Sequence, residues 1–223
     1  MKYLNSFNQI NEAGVNAQND DKPNRSERLL TQAQREYQDT PEMKQKTGPM
    51  PAMVFTDVVG SSDMWADDPI SMAKQLEGHH KLVDSIAGKN KGWIVKTIGD
   101  AFMVYFEPSQ DSLYNAIKFS KEVILNENNY NLRVGVCSGP MDEKTYRLQN
   151  VDLRDFYGNS VNTASRMESK VSQKGGTIAF CSINPIENKM SKIQTLGKVL
   201  KVDLSKFDLK GAKVDKAYTM SVK

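Results

Sequence analysis

Residues 93–106 read WIVKTIGDAFMVYF, and the rest of the chain is organised around them. Two apolar runs rich in β-branched and aromatic residues flank the dipeptide Gly99-Asp100, which is the spacing of a tight β-hairpin. A turn accepts most polar residues, so Asp100 by itself indicates little. A second apolar run, residues 53–57, reads MVFTD and also ends in a carboxylate, Asp57. Two strand-end carboxylates that converge are the minimum protein contribution to a two-metal phosphoryl-transfer site.

Around the hairpin, hydrophobic periodicity predicts the element order βαββαβ. Ahead of it we expect a strand at 52–58, a loop at 60–63, and a helix at 70–87 that ends at Gly88. Behind it, residues 109–111 are suited to cap a helix with an apolar stripe from Leu113 to Ile124, and residues 132–137 alternate as a strand. This order predicts an α+β fold with a ferredoxin-like antiparallel sheet and helices on one face.

Further elements extend this core toward the C-terminus. Residues 139–156 are polar and have the length of a hairpin arm. A third helix is predicted at 159–173, ended by Gly175-Gly176. Additional strands are predicted at 177–181, 196–202 and 217–222.

Composition narrows the functional classes. The chain has 223 residues, 39% hydrophobic content and a net charge of +3, with both signs mixed along it. No block of five Lys or Arg residues occurs, so we expect no nucleic-acid partner. No apolar run approaches the roughly 20 residues that span a bilayer, so we expect a soluble, cytoplasmic protein without a membrane partner. Cys137 and Cys181 lie in apolar runs and are predicted to be buried, reduced thiols.

Residues 1–50 differ from the rest of the chain. They are rich in Asn and Gln, their apolar residues are scattered, and a possible short helix at 27–37 has only a narrow apolar face. We interpret residues 1–50 as a polar, disordered extension, with a partner-docking arm as the alternative. Linker residues at 46–51 mark the boundary of a domain that covers residues 51–223.

The residues around Asp57 have the chemistry that a nucleoside triphosphate needs. The loop Val59, Gly60, Ser61 and Ser62 opens directly after the first carboxylate, and amides at a Gly-containing turn or helix start can bind phosphate. Farther along, Asn162 and Arg166 are four residues apart on the third predicted helix, so they share a face. The spacing alone is equally compatible with a solvent-exposed helix face and with a functional site.

Four segments resemble the class III nucleotidyl cyclases, in the order and roughly the spacing of that family. They are FTDVVGSS at 55–62, KTIGDAFM at 96–103, RVGVCSGP at 133–140 and DFYGNSVNTASRMES at 155–169. The resemblance covers the chain from about Pro51 to its C-terminus. It implies a lyase that cyclises a nucleoside triphosphate by attack of the ribose 3′-hydroxyl on the α-phosphate.

The resemblance also implies roles for individual residues. Asp57, Asp100 and the Val58 carbonyl would bind two Mg²⁺ or Mn²⁺ ions in each active site. Asn162 would position the ribose, Arg166 would stabilise the transferring phosphate, and Lys210 would bind phosphate. Active sites in the family lie between two cyclase domains. Because the whole residue set occurs in one chain, a symmetric homodimer would complete both sites.

The choice of base follows from hydrogen-bond chemistry. The family's base-reading positions fall on Lys96, a pure donor, and Asp155, a pure acceptor, and this pair complements adenine. Guanine and uracil present the reverse order, whereas cytosine presents the same order as adenine. We therefore expect ATP as substrate, with a pyrimidine or guanylate cyclase and a catalytically inert nucleotide-binding homologue as the alternatives. The pair His79-His80 is expected on the solvent side, without a metal.

Overall fold

Nine strands and five α-helices form in residues 48–148, 151–212 and 214–223, the part of the chain that the computed structural model describes. The strands are β1 Ala52–Val58, β2 Gly92–Ile98, β3 Ala101–Phe106, β4 Leu132–Ser138, β5 Asp142–Leu148, β6 Val151–Tyr157, β7 Thr177–Ser182, β8 Val199–Lys201 and β9 Ala217–Ser221. The helices are α1 Ser61–Asp67, α2 Pro69–Lys89, α3 Ser112–Asn126, α4 Asn159–Arg166 and α5 Glu187–Gln194. The extension predicted at 1–50 lies outside the described residues, apart from positions 48–50.

The hairpin predicted at residues 93–106 is present. Strands β2 and β3 pair antiparallel around Gly99-Asp100, and Gly99 has φ 62°, a left-handed conformation that glycine adopts readily. A β-bulge interrupts β2, because Ile94 pairs with Val104 whereas Lys96 pairs with Met103. The bulge places the Lys96 side chain on the same face of the sheet as Met103.

Strand β1 lies inside a seven-stranded sheet with the order β2-β3-β1-β4-β7-β9-β8. It pairs antiparallel with both β3 and β4, and β7 joins β4 in parallel. The predicted βαββαβ order is confirmed, with the short α1 added before α2. The predicted arm is also present, since β5 and β6 form a separate two-stranded sheet.

Two hydrophobic cores form on opposite faces of the sheet, because successive strand residues point to opposite sides. Val54 and Val104 pack into the core that contains α2 and α3. The stripe predicted for α3 is buried, at Leu113, Ala116, Ile117, Ser120, Val123 and Ile124. Met53 and Met103 pack into the other core, together with Ala164 of α4. Helices α2 and α3 therefore share one face of the sheet, as predicted, and α4 covers the opposite face.

Helix α2 ends later than predicted, and Gly88 lies inside it. The Asn90 side chain donates to the Ile86 carbonyl at 3.0 Å, and the Asn90 backbone N–H donates to the Ile86 and Ala87 carbonyls. Lys91 then turns the chain with φ 63°. An asparagine that satisfies the last carbonyls therefore ends the helix, and not the glycine.

The C-terminal region contains a helix that the sequence did not predict, α5. The backbone N–H groups of Leu196 and Gly197 donate to carbonyls in the last turn of this helix. These residues complete the helix, so the strand predicted at 196–202 is reduced to the three residues of β8. The strands predicted at 177–181 and 217–222 are present as β7 and β9.

Helix α2 also buries a histidine that was expected on the solvent side. His79 is 1% exposed, and its Nδ1 lies 2.6 Å from Glu127 Oε2. Burial lowers the pKa of His79, and the Glu127 carboxylate opposes that shift. The solvent-side prediction is wrong for His79, because the histidine lies on the face of α2 that packs against the sheet.

The two cysteines are buried and free, and they are direct neighbours in the register of β4 and β7. Burial raises the pKa of the Cys137 thiol well above its usual range, so this residue remains a neutral thiol. Among the described helices, none combines the length and the apolar character needed to cross a lipid bilayer.

Candidate active site

The two predicted metal carboxylates converge. Asp57 lies at the end of β1, and Asp100 lies in the turn that leads into β3, the strand beside β1. The Val58 backbone N–H donates to Asp100 Oδ2 at 3.2 Å, and this contact ties the turn to the end of β1. Asp100 is 8% exposed. The convergence follows from the antiparallel pairing of β1 and β3, which places the end of β1 beside the turn that leads into β3.

The electrostatics of Asp57 suit a cation site. Burial raises the pKa of Asp57, the neighbouring Arg133 guanidinium lowers it, and Asp100 raises it further. The mutual repulsion of two carboxylates is relieved when a divalent cation binds both. Carboxylate oxygens are also the hard ligands that Mg²⁺ and Mn²⁺ prefer. These residues therefore fit the predicted metal ions.

The donor set for metal is small. Among the described residues, no group of three or more His, Cys, Asp and Glu side chains that could hold a metal ion occurs. The candidate metal site is the pair Asp57 and Asp100, with the Val58 carbonyl as the further predicted ligand. Mg²⁺ usually keeps several waters and binds substrate phosphates besides one or two carboxylates, so two aspartates suffice.

Arg133 is a site residue to which the sequence analysis gave no role. It pairs with Asp57 across β1 and β4, and its Nη2 lies 2.5 Å from Asp57 Oδ2. Its Nε contacts Glu168 Oε1 on the other side. The signal in the sequence was the position of Arg133 at the start of the motif at 133–140, but the sequence does not give the register that places it opposite Asp57.

Glu168 reaches Arg133 because the third helix changes its geometry. The helix predicted at 159–173 is α-helical only to Arg166 and continues as a π-helical segment, Met167–Val171. Its backbone packs directly on β4 at Gly135, where an added Cβ would lie 2.1 Å from the Glu168 nitrogen. Burial raises the pKa of Glu168 to about 7, although the Arg133 guanidinium lowers it. Single π-helical turns are frequent at functional sites.

Asn162 and Arg166 share the partly exposed side of α4, while Val161 and Ala164 face the core. The Arg166 Nε donates to the Lys210 carbonyl at 3.2 Å. The Lys210 side chain is 86% exposed, and its Nζ lies 3.8 Å from Asp208 Oδ2. The structure therefore brings the Lys210 backbone to Arg166 but directs its ammonium group to solvent.

The two predicted base-reading residues contact each other. Lys96 Nζ lies 2.6 Å from Asp155 Oδ2, and the Tyr157 hydroxyl donates to the same oxygen at 3.1 Å. The Phe156 backbone N–H donates to Asp155 Oδ1 at 2.9 Å. Both oxygens of Asp155 are thus held as acceptors, and the bulge in β2 places the Lys96 side chain within reach.

The predicted phosphate loop is the start of α1. Gly60 has φ 78°, and its carbonyl accepts from the N–H groups of Asp63 and Met64, so residues 60–63 are not a loop. The Val59 N–H donates to the Asn131 carbonyl at 2.9 Å, which leaves this amide unsuited to phosphate. The first amides of a helix have no acceptor inside it, so Ser61 and Ser62 remain the candidates.

The predicted metal residues and the predicted base-reading residues make no direct polar contact. Among the described side chains, no hydrogen bond or ion pair joins Asp57 or Asp100 to Lys96 or Asp155. Lys96 and Asp100 nevertheless belong to one hairpin.

Comparisons with known proteins agree with this geometry. Residues 43–220 match the family described as Adenylate and Guanylate cyclase catalytic domain. Receptor-type adenylate cyclase GRESAG 4.1 of Trypanosoma brucei brucei is 27% identical over 70% of this chain, and Retinal guanylyl cyclase 2 of Bos taurus is 27% identical over 74%. The chain spans 16% of the length of each of these two relatives.

Solved structures show the same fold. An adenylate cyclase of Trypanosoma brucei in its monomeric state has a TM-score of 0.63 and 22% identity, over 80% of this chain and 92% of that one. The catalytic core of a rhodopsin-guanylyl cyclase with converted specificity, in complex with ATPalphaS, has a TM-score of 0.63 and 23% identity, over 79% of this chain and 97% of that one. By its sequence match, its strand order and its converging carboxylates, this chain belongs to the adenylate and guanylate cyclase catalytic domain family.

Proposed function

We propose that this chain converts ATP into 3′,5′-cyclic AMP and pyrophosphate. The Lys96–Asp155 pair carries the proposal, because it offers one donor and one oriented acceptor on adjacent side chains. Adenine presents an acceptor at ring N1 and a donor at its amino group, which is the complementary pattern. Guanine and uracil present the reverse pattern, and a site whose polar groups are left unpaired discriminates strongly.

In the proposed reaction the ribose 3′-hydroxyl attacks the α-phosphate in line. A bond forms between this oxygen and phosphorus as the bond to the bridging oxygen breaks, and pyrophosphate leaves. Asp57 and Asp100 would hold two Mg²⁺ or Mn²⁺ ions, which when bound supply the Lewis acidity that lowers the pKa of the hydroxyl. Asn162 orients the ribose, and Arg166 places its positive charge where negative charge develops on the phosphate.

Arg133 has a place in the same scheme. Its guanidinium contacts Asp57 Oδ2, so a cation that binds the Asp57 carboxylate must either share this oxygen with Arg133 or displace the guanidinium. A displaced guanidinium remains at the edge of the site, where it adds positive charge beside the triphosphate.

The proposal includes a symmetric homodimer. The metal carboxylates of one chain would act with the base-reading pair of the other, so two chains in opposite orientation would complete two equal sites. The β5–β6 arm exposes Tyr146 and Leu153 on the face that carries Asp155, which is an apolar surface suited to a second copy.

Cytosine is the second candidate base, since it shares the donor and acceptor order of adenine and the Lys96–Asp155 pair fits both. The deciding experiment is incubation of the full chain with each of the four nucleoside triphosphates and Mn²⁺, followed by chromatography of the products. Cyclic AMP as the main product supports the proposal. If a cyclic pyrimidine nucleotide or cyclic GMP is the main product, the assignment of adenine is wrong. If none of the four nucleotides gives a cyclic product, the result favours an inert nucleotide-binding homologue.

A further inference from the structure

Arg133 is held between two carboxylates that come from different parts of the fold. One is Asp57 at the end of β1, and the other is Glu168 on the π-helical segment. Among the three side chains, Arg133 is 29% exposed, Asp57 24% and Glu168 10%. At this degree of burial the guanidinium interacts electrostatically with both carboxylates, because solvent screens their charges only in part.

We propose that Glu168 is a positioning residue that sets the metal affinity of the Asp57–Asp100 site by drawing Arg133 away from Asp57. This role rests on the proposed function, in which the two aspartates bind Mg²⁺ or Mn²⁺. Glu168 contacts Arg133, and it acts through the guanidinium that competes with the metal for Asp57.

The competition gives the effect a definite sign. A cation that binds Asp57 must overcome the attraction between Asp57 and Arg133. Ionised Glu168 weakens that attraction by offering Arg133 a second partner, and the negative charge of this form also favours a nearby cation. Both contributions act in the same direction, so removal of the Glu168 charge should weaken metal binding.

The contact geometry gives the guanidinium two partners at once. Its Nη2 contacts Asp57, and its Nε forms an ion pair with Glu168 Oε1. The Glu168 backbone packs against Gly135 too closely for any side chain to fit between them, so Glu168 is held beside β4. A change in the charge of Glu168 therefore acts on a guanidinium that also contacts Asp57.

The test measures Mn²⁺ binding directly, without nucleotide, by titration of the full chain followed by electron paramagnetic resonance of free Mn²⁺. We expect Glu168→Gln to weaken Mn²⁺ binding about tenfold, the scale of one coupled charge interaction. Glu168→Asp keeps the charge and should restore most of the affinity. Glu187→Gln is the matched control, because Glu187 forms an exposed ion pair with Lys216 far along the chain and should leave Mn²⁺ binding unchanged.

The Arg133→Met background shows whether Glu168 acts through Arg133. Arg133→Met alone should tighten Mn²⁺ binding, because the competitor is gone, and Glu168→Gln should then change the affinity less than about threefold. Equal affinity of the wild-type and Glu168→Gln proteins overturns the inference, as does a full effect in the Arg133→Met background. If Glu168→Gln does not fold, unchanged affinity in Arg133→Met overturns it instead.

The outcome for the wild-type protein separates this inference from the proposed function. Wild-type protein that binds no Mn²⁺ contradicts the metal-dependent function, and the role of Glu168 falls with it. Wild-type protein that binds Mn²⁺ and cyclises ATP, with the same affinity after Glu168→Gln, leaves the function intact and removes only the role of Glu168.

Discussion

Replacing Lys96 with Glu tests the assignment of the base most directly. Lys96 Nζ lies 2.6 Å from Asp155 Oδ2, and the change puts a second acceptor where adenine N1 needs a donor. Leaving one buried polar group unpaired costs about 1–3 kcal/mol, which is roughly 5- to 150-fold in kcat/KM. The ion pair itself is partly exposed, with Lys96 at 44%, so its loss should change the free energy of unfolding by less than about 1 kcal/mol.

The assay is kcat/KM for each of the four nucleoside triphosphates, measured by product chromatography, together with the melting temperature. Lys198→Glu is the matched control, because it makes the same charge change on an exposed residue next to β8. We expect ATP use to fall in Lys96→Glu and not in Lys198→Glu, with both variants folded. If Lys96→Glu keeps kcat/KM for ATP within about threefold of the wild type, the Lys96–Asp155 pair does not read the base.

The remaining predictions concern the metal site, the helix α4 and the dimer. Asp57→Asn or Asp100→Asn should abolish cyclisation and leave circular dichroism unchanged, and a purified variant that still makes cyclic nucleotide contradicts the metal assignment. Arg166→Ala should lower kcat roughly 10²–10³-fold, the scale of one lost transition-state donor, and an unchanged kcat in a single-turnover assay would count against its role. Equal amounts of Asp57→Asn and Arg166→Ala protein should regain partial activity on mixing, whereas a mixture as inactive as its components argues against shared sites. Gly135→Ala should lower the stability by about 1–3 kcal/mol in denaturant titrations, because its Cβ would meet the Glu168 backbone, and wild-type stability would show that α4 can move away from β4.

The sequence predicted the parts of the site that depend on local pattern. Asp57 follows an apolar strand and Asp100 follows a Gly in a hairpin turn, so their convergence required only that β1 and β3 be neighbours. The fold class and the βαββαβ order likewise followed from periodicity and turn residues. The four-residue spacing of Asn162 and Arg166 predicted that they share one side of α4, as they do.

The sequence did not predict the parts that depend on packing. Arg133 faces Asp57 because of the cross-strand register of β1 and β4, and register is a property of the pair of strands. Glu168 points to Arg133 because a π-helical segment replaces the regular helix, which shifts the side chains that follow Arg166. His79 is buried for a similar reason, since its partner Glu127 is distant in sequence and its role was not visible from α2 alone.

The bulge in β2 has a consequence for how substrate preference can change. In a regular strand of the same length, Val95 would pair with Met103, and Lys96 would pair with Phe102 and project into the core on the α2 and α3 side of the sheet. Recognition of the base in the proposed function therefore depends on the local pairing of β2 as well as on the identity of its residues. Deletion of Val95 would keep the lysine opposite Met103, whereas loss of the bulge at constant length would remove the donor from the pocket while leaving every recognition residue in the sequence. A change in how this strand pairs is thus a route to a new nucleotide preference that comparison of the contact residues alone would miss.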